Sequence, residues 1–233
     1  MNWTAKPRPG AAHPATGAAA VRPGPTPAAV PSGNLRISNG LKEFLWLISD
    51  VPHGRVLDLG PVWQSTVSFF VDKGYRVSTE DLLRTWKDFL SAEEEGFRAS
   101  PVGGDSQRIS PSVLADKFLE NALQYPERSF HGVLAWDLLD YFDPEVAPRL
   151  MARLSQVLHP GGAMLAMFHS RATERFHRYR VVDSQTVELI PAATIAVHSH
   201  VFQNREILGL FADFRSSKTF VGRDQVREGL FLK

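Results

Sequence analysis

Two rhythms of apolar residues alternate along the chain from about residue 35 onward. Leu41, Phe44, Leu45 and Ile48 recur at helical spacing between Asn39 and Ser49, with Ser38 or Asn39 placed to cap the first turn. Pro52 and Gly54 break that pattern, and Arg55 to Gly60 is a short apolar run suited to a strand buried in a parallel sheet. Val67, Phe70 and Val71 share a helical face between Gln64 and Lys73, and Gly74 stands where a helix would end. Tyr75 to Thr79 predicts a second strand, closing on Glu80-Asp81, and Leu82, Leu83, Trp86 and Leu90 predict the helix after it.

The same alternation continues beyond a less informative stretch, in which Glu93-Glu94-Glu95 suits a solvated face and Gly103-Gly104-Asp105 a loop. Ser110-Pro111 is a good helix start, and Val113, Leu114, Phe118 and Leu123 give that helix an apolar side. His131 to Trp136 predicts a strand ending at Asp137. Asp143-Pro144 opens a helix striped by Val146, Leu150, Leu154, Val157 and Leu158, and His159-Pro160-Gly161-Gly162 stops it before the strand Ala163 to Phe168. Strand, helix and strand in this order make a right-handed crossover unit. Near the C-terminus the pattern changes. Tyr179 to Val182 and Thr186 to Ile190 predict a hairpin, and Asn204 caps a helix carrying Ile207, Leu208, Phe211 and Phe214. Ser217 to Gly222 and Gln225 to Leu232 predict two strands joined at Arg223-Asp224. The fold class that follows is α/β, a mostly parallel sheet with antiparallel strands at its C-terminal edge.

Composition narrows the function classes. Residues 1–34 carry Lys6, Arg8 and Arg22, no acidic side chain and prolines from Pro7 to Pro31, so they read as an extended, disordered Ala/Pro/Gly tail before a domain at 35–233. With 43% hydrophobic and 22% charged residues, the chain can bury a sizeable core. A net charge of +1 gives no field that would gather nucleic acid. There is no cysteine, which excludes disulfides, thiolate chemistry and cysteine-based zinc sites. No apolar run has the length of a membrane span and no apolar signal core is present, so the expectation is a cytoplasmic protein with no membrane partner.

Four segments resemble the class I S-adenosylmethionine-dependent methyltransferases over about Leu41 to Lys233. They are Val56-Leu57-Asp58-Leu59-Gly60, Tyr75-Arg76-Val77 leading to Asp81, Phe130 to Asp137 with Leu138-Leu139-Asp140-Tyr141, and Leu158-His159-Pro160-Gly161-Gly162-Ala163-Met164-Leu165. The closing Arg227-Glu228-Gly229-Leu230-Phe231 is similar to that family's reversed final hairpin. The resemblance implies a Rossmann-like, doubly wound sheet of the seven-stranded type, S-adenosyl-L-methionine as cofactor and methyl transfer to an acceptor that the sequence does not name. It departs from the family at the first loop. Gly60-Pro61-Val62-Trp63-Gln64 places Val62 and Gln64 where two further glycines are usual, so either the loop takes a different path, with Trp63 packing on the adenosyl part, or the two side chains intrude and weaken the cofactor site. That departure motivates the alternative of a non-catalytic methyltransferase-like scaffold or ligand sensor. A nicotinamide-dependent dehydrogenase fits poorly, because Val62 and Ser65 replace its glycines, and no Gly-Lys-Ser/Thr loop supports a nucleotide triphosphatase.

The cofactor-binding set expected from this reading is Asp58, Gly60, Trp63, Asp81 and Asp137. Asp81 lies 21 residues past Gly60, near the spacing of about 20 for a ribose-binding acid, and it is equally placed to cap the helix opening at Leu82. Strand alternation turns its neighbour Glu80 elsewhere. Asp58 sits inside an apolar strand, where a carboxylate needs hydrogen bonds, so it organises the loop or the cofactor. Trp63 either stacks on the cofactor or plugs the core. Asp137 serves chemistry, the methionine end of the cofactor or a local cap, and Tyr141 lines the site or the core. His169, after the fifth strand, is the candidate general base. His198-Ser199-His200 puts two imidazoles on one face of an extended segment, but with no second ligand pair no metal site is expected. The acceptor side is expected from the N-terminal helix, the segment after His169 and the Tyr179 to Ile190 hairpin.

Overall fold

The computed structural model describes residues 34–99, 109–197, 199–222 and 224–233. Residues 1–33 of the expected tail, the Gly103-Gly104-Asp105 loop, His198 and Arg223 of the last turn lie outside the described residues, while Asn34, expected in the tail, opens the first strand. In chain order the elements are β1 (Asn34–Ile37), α1 (Asn39–Ile48), β2 (Arg55–Asp58), α2 (Gln64–Asp72), β3 (Arg76–Thr79), α3 (Leu82–Ala99), α4 (Pro111–Leu119) and β4 (Phe130–Trp136). A single 3-10 turn (Leu138–Tyr141) follows, then α5 (Ala147–Val157), β5 (Leu158–His169), β6 (His177–Val181), β7 (Thr186–Pro191), α6 (Asn204–Leu210), β8 (Ser216–Val221) and β9 (Val226–Leu232).

The caps explain several boundaries. Ser38 Oγ accepts the Leu41 amide at 3.0 Å and starts α1, while Ser110 Oγ and Pro111 start α4. Gly74, at φ +88°, takes the left-handed conformation that ends α2. Asn204 is not the cap of α6 as expected. Gln203 holds that position, its amide bonded to Glu206 at 2.6 Å, and the Asn204 side chain instead accepts from Arg227 Nη1 at 2.7 Å. Gln203 meets the need for a cap through its backbone and the Glu206 carboxylate, which frees Asn204 for β9.

The main sheet has the order β3-β2-β4-β5-β9-β8, parallel from β3 through β5 and antiparallel through β9 and β8. It is a Rossmann-like α/β sheet, with six strands among the described residues where the resemblance implied a seven-stranded type. Successive residues go to opposite faces, so β2, β4 and β5 are apolar at nearly every position. Leu57, Val133 and Met164 pack with α3, α4 and α5, while Val56, Leu134 and Leu165 pack with α1 and α2.

The second of those faces carries an additional layer. β6 and β7 form the expected hairpin, and β1 adds to β7, giving a separate three-stranded antiparallel sheet of order β1-β7-β6. Tyr179, Val181 and Val187 of this small sheet are buried in the same core as α1 and α2. It is held at its β6 edge by the Val181 amide on Thr66 Oγ1 of α2, at 3.0 Å. At its β1 edge, Arg36 is paired with Asp224 and with buried Glu228 of β9.

Candidate functional site

The chain runs from β2 to β3 on one side, then returns to place β4 on the other side of β2. That reversal opens a crevice beyond the carboxyl ends of β2 and β4, where ligands of open α/β sheets bind. Four of the five expected cofactor residues line or border it. Asp58 closes β2, Gly60 follows it, Asp81 follows β3, and Asp137 follows β4.

The floor is made by Trp136. This residue ends β4 at φ +48°, a left-handed conformation rare for a bulky side chain, next to a register shift between β4 and β5. The strained turn swings the indole across Gly60. Its Nε1 donates to Asp58 Oδ1 at 2.7 Å, and the Gly60 amide donates to the same oxygen at 3.0 Å. A Cβ on Gly60 would stand 3.1 Å from that indole nitrogen. The close approach that requires a glycine here is therefore by the protein's own tryptophan. Asp58 organises the loop, as one of its two expected roles had it. Burial pushes its carboxyl up to about 6, against the lowering effect of the Trp136 and Gly60 hydrogen bonds, with nearby Asp81 adding to the rise.

Asp81 combines two roles. Its Oδ1 accepts the Arg84 amide at 3.3 Å, the capping function, and its two oxygens each take an N–H of Arg178 at 3.0 Å. Glu80 turns away, as alternation requires, and accepts the Leu123 amide at 3.1 Å.

Trp63 neither stacks in the crevice nor plugs the core. It is the half-buried N-cap residue of α2, with Arg180 5.7 Å above its ring and its Nε1 buried without a hydrogen-bond partner among the described residues. Of the two alternatives for the loop, the intrusion of Val62 and Gln64 is not seen and the different path is, since both side chains point outward. Val62 is 66% exposed, and exposed Gln64 bonds Ser68 one turn on. Once Trp63 starts α2, the helix path carries both side chains to the solvent face.

Asp137 does not cap the 3-10 turn with its side chain. Its Oδ2 accepts the Tyr179 hydroxyl at 3.1 Å, and burial pushes its carboxyl up to about 6, opposed by His169 and reinforced by Asp140. His169 is held by Asp140, a wholly buried carboxylate whose Oδ2 accepts the His169 amide at 2.7 Å and pairs with Nδ1 at 2.9 Å. Burial works against a charged imidazole, but the Asp140 hydrogen bond and the charges of Asp137 and Asp140 outweigh it and raise the His169 pKa. A carboxylate on Nδ1 fixes the tautomer that leaves Nε2 to take a proton. Burial and the same two acids push the Tyr141 hydroxyl well up.

The other half of the site comes from β6, part of the hairpin that the sequence placed on the acceptor side without assigning Arg178, Tyr179 or Arg180 a partner. Arg178 holds Asp81 and Arg180 lies over Trp63. Tyr179 stacks on Trp136, with ring centres 5.4 Å apart and planes 3° from parallel, and donates to Asp137. The alternation of Arg178 and Arg180 about Tyr179 was a readable strand signal, but nothing local tied it to the crevice. With β6 in place, the remaining cavity between Gly60, Leu83, Trp136 and Arg178 measures about 20 Å³, room for roughly one water. Beyond Phe176, a cavity of about 390 Å³ opens between Tyr141, Thr173, Glu174 and Thr194. His200 pairs with Glu206 at 3.0 Å, and no group of acids and histidines able to hold a metal occurs among the described residues. No helix among them is long and apolar enough to cross a membrane.

No protein-family model matches the chain, and no curated protein does. Solved structures that are similar include the PH0226 protein of Pyrococcus horikoshii, 15% identical, with 82% of this chain and 88% of that one covered at a TM-score of 0.42. Another is the 1,6-didemethyltoxoflavin-N1-methyltransferase of Burkholderia thailandensis, solved with S-adenosylhomocysteine, 17% identical over 83% and 76% of the two chains at a TM-score of 0.43. An S-adenosylmethionine-dependent methyltransferase of Mesorhizobium loti is 16% identical over 82% and 98%, at a TM-score of 0.41. Likenesses this distant carry no argument about chemistry. The Rossmann-like architecture rests on the strand order of this chain.

Proposed function

We propose that this chain is an S-adenosylmethionine-dependent methyltransferase whose nucleoside crevice opens by withdrawal of β6. The observation that carries the reading is Asp81. At the switch point of the sheet it offers two oxygens to two N–H donors, both at 3.0 Å, and the vicinal hydroxyls of a ribose match the same two-point pattern. The chemistry of the remaining groups fits the cofactor, while the space for it depends on moving β6.

Bound there, the cofactor would supply an electrophilic methyl group on a sulfonium. Asp81 would hold the ribose, and Trp136, fixed by Asp58, would form the wall beside Gly60. The acceptor would approach from the Phe176 and Tyr141 side, where the cavity is uncharged apart from Glu174. His169, oriented by Asp140, would take the proton from a poorly nucleophilic acceptor. Such displacements depend mainly on positioning and exclusion of water.

The alternative of a non-catalytic scaffold or ligand sensor is favoured by one observation, the engagement of Asp81, Trp63 and Asp137 by side chains of β6. Calorimetry with S-adenosylhomocysteine separates the readings. Wild-type protein and Arg178→Ala are expected to bind it, and Asp81→Asn built into Arg178→Ala, which keeps a capping side chain for α3, to bind at least about tenfold more weakly. No heat from either of the first two at millimolar ligand leaves the scaffold reading.

A further inference from the structure

We infer that the tip of β6 is a built-in occupant of the nucleoside crevice, with the Arg178 guanidinium standing where ribose hydroxyls would go. Cofactor and β6 then compete for Asp81. This rests on the methyltransferase reading of the same site.

The match is chemical as well as spatial. A guanidinium presents two parallel N–H donors to a carboxylate, and a vicinal diol presents two O–H donors over a similar span. The same short strand engages the neighbouring groups. Beside the crevice, Arg180 lies over Trp63 and pairs with Glu188 of β7. Tyr179 lies flat on Trp136, as a planar ring would, and its hydroxyl donates to Asp137. Side chains from two successive residues therefore cover the ribose acid, the Trp136 face and the acid after β4.

The fold permits the tip to leave while the rest of the small sheet stays. The far end of β6 is anchored by buried Val181 and its amide bond to Thr66. The near end is where irregular chain enters the strand. His177 and Pro191 face each other at a non-hydrogen-bonded position of the ladder, and Ser170 to Phe176 lead in without regular structure. The Ala192 amide donates to the Phe176 carbonyl at 3.1 Å, and the buried Phe176 ring packs edge-on against Tyr141. The Arg178–Asp81 pair keeps side-chain exposures of 14% and 22%, so water reaches it and its rupture is not the exposure of a buried charge. A ligand with affinity for the same groups can displace it.

The test measures binding of S-adenosylhomocysteine, adenosine and 2′,3′-dideoxyadenosine to wild-type, Arg178→Lys and Arg178→Ala protein, each checked for folding by circular dichroism. Competition predicts that Arg178→Ala binds S-adenosylhomocysteine about tenfold or more tightly than wild type, with Arg178→Lys in between. The gain should extend to adenosine and to the dideoxynucleoside, since each needs the tip withdrawn, while the dideoxynucleoside binds more weakly throughout because it offers Asp81 no hydroxyls. Equal or weaker binding by both variants overturns the inference and leaves the methyltransferase reading standing. Equal affinity of adenosine and its dideoxy analogue for Arg178→Ala also overturns it, since Asp81 would then not be the group that Arg178 and the ribose hydroxyls share. No binding by any of the three proteins overturns both. If Arg178→Ala fails to fold, the lysine variant alone decides.

Discussion

Arg36→Met should lower the unfolding free energy of the domain by about 3–5 kcal/mol, measured by urea denaturation. Arg36 projects from β1, almost buried, with Nη1 3.0 Å from Glu228 Oε1 and Nε 2.6 Å from Asp224 Oδ2. Glu228 lies on β9 with 1% of its surface exposed, and its other oxygen accepts the Gly40 amide at 2.6 Å, in the first turn of α1. Methionine keeps most of the volume and removes the charge, so Glu228 remains buried with a helix amide but no counter-ion. The cost arises from that stranded charge; an intact buried pair is not by itself strongly stabilising. Adding Glu228→Gln, which keeps an acceptor for the Gly40 amide, should therefore recover a large part of the loss. A single-variant loss below about 1 kcal/mol would mean that water screens this pair despite its burial.

Asp58→Asn should make the protein more stable at about pH 7, by up to about 3 kcal/mol, and leave it nearly unchanged at about pH 4. The folded protein holds this carboxyl up to about 6, above its ordinary 3.8, so the folded state binds the proton more readily than the unfolded state does. The contribution is fully present below the unfolded value and is lost as pH rises through the folded one, which places the change between about pH 4 and 6. Asp137, also held up to about 6, acts in the same window, and His169, raised by its acidic neighbours, acts in the same direction only above its ordinary 6.5. Wild-type stability should thus decline across this range, and the Asn variant should decline less. Asparagine keeps the acceptor oxygen for the Trp136 indole and the Gly60 amide, both of which bond Oδ1. Melting curves at the two pH values check this. A variant less stable than wild type at about pH 7 would show that the ionised form is what the loop needs.

The sites that sequence reasoning located share one property: their side chains are positioned by the element that carries them. Asp58, Asp81 and Asp137 follow strand ends that apolar runs and their breakers mark, so a parallel sheet delivers all three to one rim. Capping chemistry is equally local, which is why Ser38 and Ser110 were legible. Asn204 was not, because Gln203 and Glu206 form the cap in its place. The path of the Pro61 to Gln64 loop stayed open for a comparable reason. Residue identity allowed obstruction or a detour, and the start of α2 at Gln64 decides it by turning Val62 and Gln64 to solvent.

By itself, the sequence determined the α/β class, the strand and helix order from α1 onward and the residues at the carboxyl rim, because periodicity and turn chemistry act within a few residues of where they are written. Only the tertiary structure decided that Asn34 to Ile37 form a strand, β1, that joins β6 and β7 in a second sheet, that Asp140 holds His169, and that Arg178 and Tyr179 occupy the crevice. Arg178 meets Asp81 across 97 residues and Tyr179 meets Asp137 across 42. Contacts at such separations are set by how the layers pack, and no local pattern of charge or hydrophobicity encodes them.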